Sequence, residues 1–209
     1  IRFLLHEEAL FREQLRALLQ ARSDAPLRIM FPMIGSVEEF LQAKELLRES
    51  VRDVSGPEAP LPPVGAMMEL PSAVELAAEI AAEADFISIG TNDLTMYVLG
   101  VDRSNGLVGR LYRPDHPALL RTIYRLIRNV GSLRPQTTVC GESATDPYLL
   151  VFYLGIGIRR FSAQPHRLPE LAGNVRSLSL HECEKEADAL LSCATAAEVD
   201  SRRKAWLGR

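Results

Sequence analysis

Apolar residues recur at helical spacing over positions 7–22. Leu10, Phe11, Leu15, Leu18 and Leu19 share one side while Arg and Glu take the other, which predicts an amphipathic helix. A brief β-compatible run at 27–31 closes at Pro32, after which Ser36 and Glu39 stand at capping-box spacing and predict a helix reaching Val51. Positions 55–63 hold Gly56 and prolines at 57, 60, 62 and 63, the composition of an exposed, irregular connection. The alternation then repeats. Positions 64–70 read as a strand, and Pro71 opens a helix to Ala84, because proline in a first turn forfeits no intrahelical hydrogen bond. A strand at 86–90 leads into a long loop at 91–115 with a helical turn near 94–99, and then an amphipathic helix runs from Pro117 to Val130. A fourth strand at 137–141 is followed by Asp146-Pro147, read as cap and first residue of a helix to Leu154, and by a fifth strand at 158–163. Helices at 168–178, 182–191 and 196–207 complete the chain, the last two preceded by capping-box pairs Ser179/Glu182 and Thr195/Glu198.

Alternating strands and helices joined by right-handed crossovers build a parallel sheet, wound on both faces or closed into a barrel. Five units fall short of the eight of a closed (β/α)8 barrel. The chain shows no repeat at the level of sequence and no low-complexity segment.

With 209 residues, 47% of them apolar and 24% charged, the chain suits one domain with a sizeable core. A net charge of -3 without any dense Lys/Arg run argues against nucleic acid or an anionic membrane as partner. No apolar stretch approaches the roughly 20 residues of a membrane span, and the N-terminus lacks a signal-peptide pattern, so a cytoplasmic protein is expected. Cys140, Cys183 and Cys193 have neither zinc-site pairing nor the density of a disulfide scaffold, and read as reduced thiols. The chain begins at Ile1, already on the approach to a helix, and reads as a fragment.

Polar, reactive residues stand where the strand-like runs end. Glu69 and Asp93 follow consecutive strands, and two hard carboxylates beside a pocket are what Mg²⁺ usually takes from a protein; alternatively, Glu69 pairs with a neighbouring cation and Asp93 caps its turn. Arg28 and Arg103 offer guanidinium forks for a phosphate or carboxylate, although Arg28 could simply pair with Asp24. Asn92 adds an amide donor, or marks an ordinary turn. Cys140, ending a strand before Gly141, is either a packed small hydrophobe or a thiol facing the pocket, where it could donate a proton to carbon. His6, His116, His166 and His181 form no recognisable triad and read as structural or surface residues.

The strings Arg12-Glu13-Gln14-Leu15-Arg16-Ala17, Leu27-Arg28-Ile29-Met30-Phe31-Pro32-Met33, Gly90-Thr91-Asn92-Asp93-Leu94-Thr95, Val101-Asp102-Arg103-Ser104-Asn105 and Cys140-Gly141-Glu142 carry a resemblance over nearly the whole chain. It resembles the C-terminal phosphoenolpyruvate-binding domain of Enzyme I, the phosphoenolpyruvate-protein phosphotransferase of the bacterial sugar phosphotransferase system. The resemblance implies a (β/α)8 TIM barrel, N-terminally truncated so that strands four to eight remain, forming one partial domain over 1–209. It also implies Mg²⁺ on Glu69 and Asp93, phosphoenolpyruvate held by Asn92, Asp93, Arg103 and Arg28, and Cys140 protonating the enolate carbon as pyruvate forms. In that family the phosphoryl group passes to a histidine on a separate N-terminal domain and then to the carrier HPr, and the barrel domain forms a homodimer. On this reading the isolated chain lacks the acceptor and is inactive alone. Two alternatives are the C-terminal barrel of pyruvate phosphate dikinase or phosphoenolpyruvate synthase, which shares the Gly-Thr-Asn-Asp-Leu-Thr string, and a non-catalytic metabolite-binding or dimerisation module.

Overall fold

The computed structural model describes residues 1–21 and 26–208. Its elements alternate as the periodicity predicts. Helices α1 (Arg2–His6) and α2 (Glu8–Gln20) precede β1 (Ile29–Phe31), α3 (Val37–Ser55), β2 (Val64–Met68), α4 (Pro71–Glu75), α5 (Ala77–Glu83) and β3 (Phe86–Gly90). After these come α6 (Thr91–Leu99), α7 (Pro117–Asn129), β4 (Thr137–Cys140), α8 (Pro147–Gly155), β5 (Arg160–Phe161), α9 (Leu168–Ser177), α10 (Leu180–Ser192) and α11 (Ala196–Leu207).

The five strands form one sheet in the order β1-β2-β3-β4-β5, every neighbouring pair parallel. An order that never reverses is that of a singly wound sheet; a doubly wound one reverses at a switch point. Register sorts the side chains. Ile29, Phe31, Val64, Ala66, Met68, Ile87, Ile89, Thr137 and Val139 share one face and are buried. Met30, Met67, Phe86, Thr138 and Cys140 lie on the opposite face and are half-buried. One face is therefore packed by the helices, while the second is only partly covered. The five strands expected from the sequence are all present, and among the described residues β1 and β5 are the edges of an open five-stranded sheet rather than neighbours in a closed barrel.

Phe11, Phe31 and Phe40 stack edge-on at 5.9 and 6.1 Å between centroids, locking α2, β1 and α3 together. Leu150, Val151, Leu154, Leu171 and Cys183 make a smaller apolar cluster under α9 and α10.

Several boundaries differ from the pattern. The helix expected over 71–84 breaks at Leu76 (φ -97°, ψ 22°) into α4 and α5. The loop expected at 91–115 begins only after α6, whose first turn is Thr91, Asn92 and Asp93 and which stops at left-handed Gly100. Polar Thr-Asn-Asp reads as a turn because those side chains compete for backbone hydrogen bonds, a property that equally suits a helix start. Ser36 and Thr195 cap their helices, accepting from the Glu39 and Glu198 N–H groups at 3.2 Å each. Ser179 makes no side-chain cap bond to α10, so that expected capping box does not form. Asp146 caps α8 as its sequence predicts, accepting from Tyr148 and Leu149 N–H at 2.9 Å each.

Candidate active site at the carboxyl ends of the strands

In a parallel sheet every strand delivers its last residue to the same edge. Gly90 pairs with Cys140, and Glu69 follows Met68, the partner of Ile89, so Glu69, Gly90 and Cys140 form a row on the half-covered face. Gly90 is obligatory in that row because a Cβ there would overlap the Glu69 carboxylate. At the end of β1, Met33 adopts φ 54°, in the left-handed region, and its N–H donates to Glu69 Oε1 at 2.7 Å.

Glu69 is only 4% exposed and lies within hydrogen-bonding reach of Asp93 in the first turn of α6. Burial, with the facing Asp93 charge opposed by the Met33 N–H, raises the Glu69 pKa to about 7. A cation between the two carboxylates would remove that penalty, so the pair fits a hard divalent ion such as Mg²⁺. Among the described residues no group of three His, Cys, Asp or Glu is placed to hold a metal ion, which leaves the remaining coordination to water and ligand oxygens.

Cys140 Sγ donates to Ile89 C=O at 3.2 Å and accepts from Ser88 Oγ at 3.4 Å. Burial, with added repulsion from Glu69 and Asp93 and opposed by the Ser88 hydroxyl, pushes the thiol above its ordinary range. At neutral pH it is an S–H donor rather than a thiolate. Cys140, Asn92, Gly141, Glu142, Gln164 and Arg167 are among the residues that line a cavity of about 700 Å³.

Asn92 Oδ1 accepts from Glu142 N–H at 3.2 Å and Tyr112 O–H at 3.4 Å, which leaves its amide nitrogen as the donor. Arg103 Nη1 lies 3.0 Å from Glu142 Oε1, with both side chains open to solvent. Such an exposed pair is worth about 0–1 kcal/mol, so an anion can readily compete for the guanidinium.

Arg28 is not brought to this site. It precedes β1 at the amino end of the sheet, with its guanidinium 4.0 Å from the ring centroid of Phe86, the first residue of β3. The strands run one way, so a residue before a strand and residues after it face opposite edges. Its suggested partner Asp24 lies outside the described residues. Ser88 opens the strand-end string 88–95, whereas Tyr112 and Arg167 arrive from distant segments and leave no local signal. His116 is structural, its Nδ1 accepting from Ala118 N–H at 3.1 Å, whereas His166 lines the cavity.

A singly wound parallel sheet carrying a carboxylate pair and a thiol at the carboxyl ends of its strands defines a β/α protein with its polar pocket at that edge. Residues 1–180 match the family described as PEP-utilising enzyme, PEP-binding domain, and the chain belongs to that family. It is 40% identical over 202 residues to the phosphoenolpyruvate-protein phosphotransferase of Bacillus subtilis, and 38% identical over 200 residues to that of Mycoplasma pneumoniae. These alignments cover 95% and 96% of this chain and 35% of each relative, so the chain spans about a third of their length. A multiphosphoryl transfer protein of Rhodobacter capsulatus is 39% identical over 199 residues, covering 95% of this chain and 24% of that protein. Among solved structures, a citrate lyase from Burkholderia xenovorans LB400 superposes with a TM-score of 0.60 at 19% identity, over 87% of this chain and 58% of that one, a likeness of fold. No helix among the described residues is long and apolar enough to cross a membrane.

Proposed function

We propose that this chain is the phosphoenolpyruvate-binding portion of a phosphoenolpyruvate-protein phosphotransferase, the later strands of a (β/α)8 barrel. The observation that carries the reading is the row of Glu69, Gly90 and Cys140, with Asp93 facing Glu69, at the carboxyl edge of a singly wound sheet. Glu69 and Asp93 would hold Mg²⁺, which when bound would offset the negative charge of the substrate's phosphoryl and carboxylate oxygens. The Asn92 amide and the Arg103 guanidinium, released from Glu142, bind the anionic groups; Arg28, at the other edge, takes no part.

A histidine nitrogen on another domain attacks phosphorus, and the bond from phosphorus to the enol oxygen breaks. The electron pair stays on that oxygen as an enolate, which re-forms the carbonyl as C3 takes the proton from Cys140 Sγ, giving pyruvate. The thiolate then regains a proton from solvent. Keeping the thiol pKa high preserves the proton until an acceptor carbon is present. HPr would receive the phosphoryl group next, and the barrel domain would pair as a homodimer. Relatives bearing the phosphotransferase name over 95% of this chain favour this reading over a dikinase.

The test is calorimetric titration of phosphoenolpyruvate into the chain with and without Mg²⁺, comparing Asp93→Ala and Cys140→Ser. Binding should require both the metal and Asp93 and should survive the Cys140 change. A folded chain that does not bind, or that binds equally well without metal and Asp93, overturns the assignment.

A further inference from the structure

Helix α11 lies beyond the residues matched to the family, yet its polar side reaches back to the loops that build the site. Arg203 Nη1 lies 3.1 Å from Asp115 Oδ2, and its Nη2 pairs with Asp146 Oδ2. Asp115 closes the segment 101–116 that carries Arg103 and Tyr112, while Asp146 closes the segment 141–146 that follows Cys140 and carries Glu142. A single guanidinium therefore spans the groove between the two loops, a space of about 400 Å³ walled by Tyr112 and Asp115 on one side and Glu142 and Asp146 on the other.

Both anchors are themselves fixed. Asp115, 5% exposed, also accepts from Arg113 Nε and Nη2 at 3.0 and 3.2 Å, and Arg113 in turn holds Asp200 of α11 at 2.6 and 3.2 Å. Asp146 uses its other oxygen to cap α8. At their far ends the same loops meet through Arg103 and Glu142, whose pair is exposed and weak. Asn92 Oδ1 also joins them, accepting from Tyr112 O–H and Glu142 N–H, but it is to serve the ligand itself, so a tie on the far side of the groove is what can hold the two loops at a set separation when Arg103 leaves Glu142.

We propose that Arg203 is a positioning residue that clamps the Arg103 loop to the Cys140–Glu142 loop, so that α11 sets the width of the phosphoenolpyruvate site. The effect on ligand rests on the function proposed above; the clamp itself does not. A planar fork can hold two carboxylates at once in fixed geometry, which a lysine cannot. Arg202, the adjacent residue, provides the control: it pairs with buried Glu186 through Nε and Nη2 at 3.0 and 2.7 Å and touches neither loop.

The experiment compares Arg203→Met, Arg203→Lys and Arg202→Met by thermal denaturation, amide hydrogen exchange and phosphoenolpyruvate titration with Mg²⁺. Both methionine variants should lower the melting temperature. Of the two methionine variants, only Arg203→Met should speed exchange in 101–116 and 141–146 and weaken phosphoenolpyruvate binding, by about tenfold, the size expected for losing a clamp worth about 1.4 kcal/mol. Arg203→Lys should recover melting temperature more fully than affinity. Unchanged exchange in the two loops, or equal loss of affinity in the Arg202 and Arg203 variants, overturns the clamp. If the unaltered chain does not bind phosphoenolpyruvate, the proposed function fails, and exchange in the two loops still decides whether Arg203 ties them.

Discussion

Glu69 is a carboxyl almost wholly withdrawn from water, 4% exposed. Burial, then repulsion from Asp93, raises its pKa from 4.5 to about 7. The sign follows from proton uptake: between those values the native state holds a proton that the unfolded chain has released, so stability is fully present below about pH 4.5 and declines as pH rises towards 7. The loss amounts to up to about 3 kcal/mol, at 1.36 kcal/mol per pKa unit. Urea denaturation of metal-free protein at pH 5, 6, 7 and 8 should show this decline, Glu69→Gln should flatten it, and millimolar Mg²⁺ should reverse it above pH 7. A decline that persists in Glu69→Gln would place the titrating group elsewhere. The same residue shows why a carboxylate can be legible in sequence while its state is not: Glu69 ends an apolar strand, but the Met33 N–H and the Asp93 charge that tune it come from segments 36 and 24 positions away.

At the scale of elements, helix starts separate chemistry written locally from chemistry that needs the fold. Ser36 precedes α3 and accepts the Glu39 N–H, whereas Ser179 precedes α10 at the same spacing and accepts none. Ser36→Ala should therefore cost about 1 kcal/mol, and Ser179→Ala less than about 0.5 kcal/mol, by chemical denaturation. Equal losses would mean that spacing alone decides a cap. Helix α6 makes the converse point. Its Thr-Asn-Asp opening reads as a loop, yet Leu94 is buried and Thr95 Oγ1 donates to Thr91 C=O at 2.6 Å, so the helix begins directly at the strand end. That immediate turn from strand to helix brings Asp93 to Glu69 and Asn92 to Glu142.

For the whole molecule, the proposed chemistry requires a phosphoryl acceptor from another domain. Incubation with phosphoenolpyruvate labelled on phosphorus, with Mg²⁺, should leave no acid-labile label on this chain; labelled His166, which lines the cavity, would put the acceptor within it. By itself the sequence determined the alternation of five strands with helices, the caps at Ser36, Asp146 and Thr195, and the strand-end strings that hold Glu69, Asn92, Asp93 and Cys140. Each of these rests on periodicity or on a few adjacent residues, so local physics suffices to write it. Tertiary structure alone decided that the strands keep one order in an open five-stranded sheet, and that Arg28 belongs to the edge opposite the site. It also decided that Ser88 lies beside the thiol and that Arg203 reaches across from the last helix to Asp115 and Asp146. Those relations join residues 52 to 88 positions apart, where packing of the sheet rather than the order of the chain sets which groups meet.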